Sequence, residues 1–422
     1  NGACTNTNAT VAGLVLTEHG HGLEEANVII DCHAINGAAP ISKQDLTDNN
    51  GQYKFDQTVP IALNYKVTPV KDNDPLNGVS TFDLVLINKH ILGIDLLTTP
   101  NKLIAADVNG NGSITTFDLV ELRKLILGIY TDFPNNTSWR FVDKAYEFPD
   151  PTNPWKEVFP ESKSVWNIQG SQMEDDFVAI KIGDINSNSI ANSLMYTEDR
   201  AAGTLLFDVE DRFVKAGERF TATFTATDPV LAYQFTMNYT DLEVEDVLPG
   251  AGMYEENFAV FPDQHAITTS VQMPKDADQI TFQVQFRAKA AGQLSKMLGI
   301  SSRITRSEAY PDKHGIEKYD IGFRFHNGDA QTVTGLGFEL YQNVPNPWVN
   351  KTQIGFYLPQ AGDAKLTIYD ELGRAVFTET ADYDRGYNAI FIEHALLDKP
   401  GVLYYTLDTP HGQATRKMIQ AK

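Results

Sequence analysis

The chain has 422 residues, 42% of them hydrophobic, with 34 Lys and Arg against 55 Asp and Glu, a net charge of −21. That length calls for about three domains; the acidic balance argues against nucleic acid as a partner, which needs clustered cations, and fits a surface that holds cations. No apolar run approaches the roughly 20 residues of a membrane helix, so no membrane span is expected.

The sequence opens on Asn1 with neither Met nor an apolar leader, which reads as a removed leader or a fragment. Its two cysteines, Cys4 and Cys32, lack metal-ligand spacing. Two readings stand: a disulfide pinning the N-terminal arm, worth about 3 kcal/mol in an exported protein, or two separate thiols. Residues 1–70 read as β. VAGLVLTEHGHGLEEANVIIDC gives strand, Gly-rich turn and strand; TDNNGQYKF enters a strand through an Asn-Gly turn; NYKVTPV closes the set. His19 and His21 fall in the predicted turn and read as solvated, not as a metal pair. The order G-x-V, turn, A-x-V-x-I, D-x-x-G-x-Y-x-F resembles the prealbumin-like sandwiches found as B-type repeats in bacterial surface adhesins and as regulatory domains beside carboxypeptidases. The resemblance implies a spacer module.

Residues 71–130 carry an internal repeat. DNDPLNGVSTFDLVLINKHILG from Asp72 and DVNGNGSITTFDLVELRKLILG from Asp107 share TFDLV, an apolar helix and ILG, offset by 35 residues. Leu84, Ile87 and Ile91 form one stripe, and Leu119, Leu122 and Ile126 the same stripe again. Gly93 and Gly128 stop both helices at one place. The two helices are expected to pack on each other.

The second loop has the spacing of a calcium loop. Ca²⁺ takes six to eight oxygens, supplied in a twelve-residue loop from positions 1, 3, 5, 7, 9 and 12, with Gly at 6 for the sharp turn. Counting from Asp107 gives Asp107, Asn109, Asn111, Ser113 (by its carbonyl), Thr115 (through a water) and Asp118, with Gly112 at 6 and Ile114 directed to the core. This loop, ending in Asp and duplicated with its helix, resembles the type I dockerins. In the first loop Asp72, Asp74 and Asp83 fall at 1, 3 and 12, but Leu76 occupies 5 and Asn77 occupies 6. Three readings stay open there: calcium held with the Asn77 side chain, calcium held with a backbone carbonyl, or no calcium. The family binds its cohesin partner through a hydroxyl pair at loop positions 10 and 11; here Thr81-Phe82 and Thr116-Phe117 stand instead. That departure points the Phe residues at the core or at a fixed intramolecular contact. A rigid calcium joint and a plug for a cohesin scaffold are both expected roles.

Residues 131–193 are rich in Pro and aromatics, and read as an extension pinned by its aromatics on neighbouring domains, with a strand at DDFVAIKI. Residues 194–328 alternate: Phe220, Ala222 and Phe224; Tyr233, Phe235, Met237 and Tyr239; Ile280, Phe282, Val284 and Phe286. Period two with turn signals indicates a β-sandwich, and GERFTATFTA with LAYQFTMNYT resembles the cohesin-like sandwiches of bacterial surface proteins. Residues 329–337 are a polar linker. Over 338–422 the ordered set Asn343-Val344-Pro345-Asn346-Pro347, IGFYLP, YDELGR, RGYNAI, PGVLYYTL and RKMIQAK resembles the type A sorting domain of Bacteroidetes type IX secretion cargo, with Leu403 where that family has Tyr. The resemblance implies an Ig-like sandwich, engagement of the type IX machinery, and a secreted, extracellular or outer-surface fate.

The fold class expected is therefore mainly β: several sandwiches with one small α-helical calcium-binding pair. No HExxH, GxSxG, phosphate loop or Cys-His pairing occurs, so no enzyme is expected. The acidic pairs Glu24-Glu25 and Asp175-Asp176 read as surface. Two functions follow. One is a structural or adhesive surface protein, with assembly into a fibre by head-to-tail docking or by strand donation from the N-terminal arm. The other is an accessory subunit of a polysaccharide-degrading complex, with a cohesin-type partner or sugar binding at Trp139, Trp155 or Trp166.

Overall fold

The computed structural model describes residues 8–421 apart from 34–40, 196–200, 275–278, 312–314, 316, 329, 335–336 and 398–399. Cys4 and residues 1–7 of the proposed donor arm, 1–10, lie outside these residues; its last three begin strand Asn8–Thr17, which pairs with Gln52–Pro60 of the same chain. The described residues are mainly β with three α-helices. The chain divides into two compact units: 1–79, 86–122 and 131–197 form one; 80–85, 123–130 and 198–422 form the other.

The first unit holds a sandwich of two four-stranded sheets. One sheet runs Gln52–Pro60, Asn8–Thr17, Phe177–Lys181, Trp139–Asp143; the other Ile41–Leu46, Asn27–His33, Asn64–Val70, Lys163–Val165. Val11, Val15, Val28, Ile30, Val67 and Phe177 fill the space between them. The Pro- and aromatic-rich segment is thus not an extension laid on the first module. It supplies three of that module's eight strands, and Phe177 pairs in parallel with Val15. The physical reason is visible at Asp175, which is buried, not on the surface as expected. Tyr65 Oη donates to its carboxylate at 2.7 Å and Lys163 pairs with it at 3.0 Å, while Tyr53 Oη donates to its carbonyl. A buried carboxylate is tolerated only with such partners. Asp176 accepts Leu14 N at 2.9 Å and Lys144 Nζ at 3.0 Å.

The repeat enters between strands Asn64–Val70 and Trp139–Asp143. Its helices are α1 (Thr81–Ile91), α2 (Pro100–Ala106) and α3 (Thr116–Ile126). The stripe residues Leu84, Ile87, Leu119, Leu122 and Ile126 are buried as their spacing requires. Helix α2 was not expected. Thr99 caps it by accepting Lys102 N, and Pro100 opens it where a missing N–H costs nothing.

In the second unit an eleven-stranded sheet folds over on itself. Phe282, near one end of the strand order, meets Phe258, at the other, with ring centroids 5.4 Å apart. Phe207, Phe224, Phe235 and Phe323 complete the aromatic centre. A further pair of sheets, of three and four strands, covers Glu339–Leu340 to Gly412–Gln420 around Trp348, Phe356, Leu366 and Tyr405.

Candidate calcium loop and docking face

Helix α2 ends at Asp107, whose N–H still bonds Leu103 O. The chain then folds round the Asp107 carboxylate: Oδ1 accepts Asn111 N at 3.0 Å and Oδ2 accepts Gly112 N at 2.8 Å. Asn109 Oδ1 accepts Asn111 N, and Asn111 Oδ1 accepts Ser113 N and Oγ at 2.9 and 2.7 Å. Gly112 sits at φ +81 with the Trp155 ring 3.6 Å from where a Cβ would be. Asn136 Nδ2 staples the loop from outside, donating to Asp107 O at 3.0 Å. At the far end Asp118 is in the first turn of α3. Its Oδ2 accepts Thr115 N at 2.8 Å and Oδ1 reaches back to Asn109 N at 3.1 Å, so one side chain both caps the helix and closes the loop. Ile114 is half-buried.

Asp107 is 2% exposed and Asp118 fully buried. Burial pushes the Asp107 carboxyl above its usual range; the Gly112 and Asn111 N–H bonds oppose this, and the Asp118 charge adds to it. Two buried carboxylates in one loop are met by backbone N–H groups and the Thr115 hydroxyl, and the Arg140 charge is the weakest of the influences on Asp107. That is the donor chemistry Ca²⁺ fits: Asp107, Asn109, Asn111 and Asp118 would give side-chain oxygens, Ser113 its carbonyl, and Thr115 a water. Among the described residues no three His, Cys, Asp or Glu converge; beyond its two carboxylates the loop's donors are amide and main-chain oxygens. The titration has a testable sign. With calcium removed, the folded state holds the Asp107 proton to higher pH than the unfolded chain, whose value is about 3.9. Folded stability then falls as pH rises from about 4. The stability difference between the parent and Asp107→Asn, measured in chelator, should move against the parent as pH rises from about 4; a flat difference contradicts the arrangement.

The first loop is built otherwise. Asp72 Oδ1 accepts Ser138 N at 2.7 Å. The Asn77 amide is committed on both sides to Ile190, donating to its carbonyl and accepting its N–H, each at 2.8 Å. Asp74 takes φ +50. Asp83 is buried and caps α1 by accepting Ser80 N at 2.9 Å and Ser80 Oγ at 3.1 Å.

The second unit contains a feature that alternation alone did not reveal. On strands Ala232–Tyr239 and Ala266–Gln272, Gln234 is paired with Ser270 and Thr236 with Thr268. They alternate with the core residues Tyr233, Phe235, Ile267 and Val271 and so face away from the core. Yet all four are buried. Segments Ser80–Val85 and Arg123–Tyr130 cover them. Thr81 N and Oγ1 both donate to Gln234 Oε1, at 2.6 and 2.8 Å, and Thr81 Oγ1 meets Ser270 Oγ at 2.7 Å. Thr268 Oγ1 donates to Leu127 O at 2.8 Å and Thr305 Oγ1 to Ile126 O at 2.7 Å. The first N–H groups and last carbonyls of a helix lack partners of their own; the sandwich supplies them for the start of α1 and the end of α3. Phe82 packs on Tyr310, centroids 5.4 Å apart. Gly315, at φ +65, makes room for it, since a Cβ there would lie 2.5 Å from the ring. Beside the ring Tyr310 Oη donates to Glu308; burial opposes the Glu308 charge, but Lys318 and Arg306 hold its carboxyl below the usual range. The Phe at loop position 11 therefore serves an intramolecular contact in the first repeat. Its counterpart Phe117 is 72% exposed. A signal for this face existed: a solvated strand face ordinarily carries charges, whereas TMNY and ITTSV offer only hydroxyls and amides.

The other candidates are dispersed. Trp139 is in the first core, Trp155 covers Gly112, and Trp166 is 76% exposed. His19 and His21 line a small cleft with Glu18, Lys102, Lys181 and Asp184.

Residues 77–127 match the family model "Dockerin type I domain". No curated protein matches the chain. Among solved structures, the seventh ScaB type I cohesin of Pseudobacteroides cellulosolvens is 11% identical, over 31% of this chain and 90% of that one, at TM-score 0.19. A type I cohesin–dockerin complex from Clostridium thermocellum is 10% identical over 29% and 99%, at TM-score 0.19. The major pilin subunit BcpA of Bacillus cereus is 10% identical over 98% and 94%, at TM-score 0.20.

Proposed function

We propose that the chain is a non-catalytic structural protein of the cell surface or extracellular space, in which Ser80–Val85 and Arg123–Tyr130 of a calcium-stapled dockerin repeat pack on the chain's own sandwich. The burial of Thr81 and Phe82, at the family's partner-binding positions, carries this reading. The dockerin match supports both the calcium and the extracellular setting. Head-to-tail assembly into a fibre through the same contact would require neighbouring chains to exchange it, so the cis seat favours a monomeric module over a fibre.

Residues 338–422 act as the address for type IX export. Their ordered motifs support this, and several of them also have a structural duty. Asn343 Nδ2 bonds Thr352 Oγ1 and Pro345 O, and Asp370 closes the YDELGR turn onto Leu372 N and Arg374 N. At the position where the family has Tyr, Leu403 is buried, and Tyr405 fills the core two residues on. No helix among the described residues is long and apolar enough to cross a membrane. A chain ending at Gly337, expressed in a type IX-competent host, should accumulate inside the cell; normal surface display of that truncated chain would refute the address.

A second reading is an accessory subunit that docks to a polysaccharide-degrading assembly. The exposed Phe117 and Trp166 favour it. Retention of the full chain on insoluble polysaccharide, lost on Trp166→Ala, would support that reading over the first.

A further inference from the structure

The duplicated sequence implies two equivalent cation loops, but the first does not fit the ion. Position 5 is Leu76, without an oxygen in its side chain, and the Asn77 amide is spent on Ile190. One oxygen of Asp72 is drawn to Ser138 N. A positive charge is nevertheless present, and it is covalent. Lys181, only 4% exposed, sends Nζ into the loop to donate to Pro75 O at 2.8 Å, and to its neighbour's carbonyl, Ile182 O, at 3.1 Å. The Phe133 ring lies 5.4 Å beneath it.

The surroundings of Lys181 repeat the turn of the second loop, with an ammonium at hand. DINSNS, from Asp184, reproduces D-x-N-x-N. Asp184 Oδ1 accepts Asn188 N at 3.1 Å and Oδ2 accepts Ser189 N at 2.9 Å, as Asp107 does with Asn111 and Gly112. Ser187, at φ +59, stands where Gly110, at φ +67, stands in the second loop. This turn lies directly on the first loop: a Cβ on Gly78 would come within 2.7 Å of Ser189. The Lys181 charge is felt at Asp184. Each acidic turn is thus served by the same buried ammonium, and a divalent cation added beside it would meet like charge at low effective dielectric.

We propose that the Lys181 ammonium takes the place of the first calcium, so that the chain carries one calcium site where its repeat implies two. The proposal rests on the calcium reading of the second loop. Direct calcium titration of the full chain, by calorimetry and by native mass spectrometry, tests both and separates them. One ion per chain is expected, with Asp118→Asn weakening it by at least ten-fold and Asp72→Asn together with Asp74→Asn changing the affinity by less than about two-fold. Two ions per chain, one of them lost with Asp72→Asn, would overturn the proposal and leave the second loop intact. No ion at all would sink the underlying calcium reading instead. Lys181→Met gives an independent arm: its melting temperature should drop in chelator, whereas a variant that melts like the parent would show that the ammonium holds nothing.

Discussion

Phe82→Ala should lower the unfolding free energy by about 3–5 kcal/mol, the usual cost of emptying a buried aromatic site. Phe117→Ala, the same change in the same pentapeptide, should stay within about 0.5 kcal/mol, as exposed substitutions do. The asymmetry follows from environment alone. The Phe82 ring is fully buried between Tyr310 and the backbone at Gly315, whereas Phe117 is 72% exposed. Rotation of Tyr310 into the space is opposed by its hydroxyl, which is engaged by Glu308, so the cavity would not readily collapse. The shift in urea midpoint of the intact chain reads this out. Equal effects for the two variants would contradict the seating of the first repeat.

Calcium removal should be the second large effect. At millimolar calcium and the weak affinities usual for extracellular modules, binding stabilises the repeat by about 1–3 kcal/mol. Removing the ion forfeits that whole contribution, which is set by affinity and free calcium alone. Asp107→Ala with Asp118→Ala should therefore abolish the calcium-dependent rise in melting temperature. Part of the double variant's destabilisation should persist in chelator, because Asp118 also caps α3 through Thr115 N and a lost cap costs about 1 kcal/mol. A calcium response of undiminished size in the double variant would remove the assignment.

How much of this was legible depended on the range of the interaction. The second loop could be read residue by residue, because every donor falls within twelve consecutive positions and each carries a side-chain or glycine signature. The helices α1 and α3 followed from their stripes. Helix α2 was missed because seven residues give too short a period, and its only signal was Thr99-Pro100. The strands at Phe177 and at Asn8–Thr17 were each legible; their parallel pairing was not, since nothing local specifies a pairing across 162 positions. The docking face is the clearest limit. Thr81-Phe82 and Thr116-Phe117 are identical in sequence, so local preference cannot distinguish the buried copy from the exposed one. The choice is made by Gln234 and Ser270, 153 and 189 residues from Thr81. Alternation placed Gln234 away from the core but could not say that this outer face would be covered, and strand Ala266–Gln272, which carries Ser270, was not among the alternating runs.

Ser80–Val85 and Arg123–Tyr130 dock on the sandwich of their own chain. Hydrogen–deuterium exchange of the full protein, run with calcium over a hundred-fold range of concentration, tests it most directly. Peptides covering the Thr81 amide and strand Ala266–Gln272 should be protected to the same degree at every concentration, including those where light scattering reports a monomer. Rapid exchange of these peptides in the monomer, or protection that appears only as concentration rises, would contradict it.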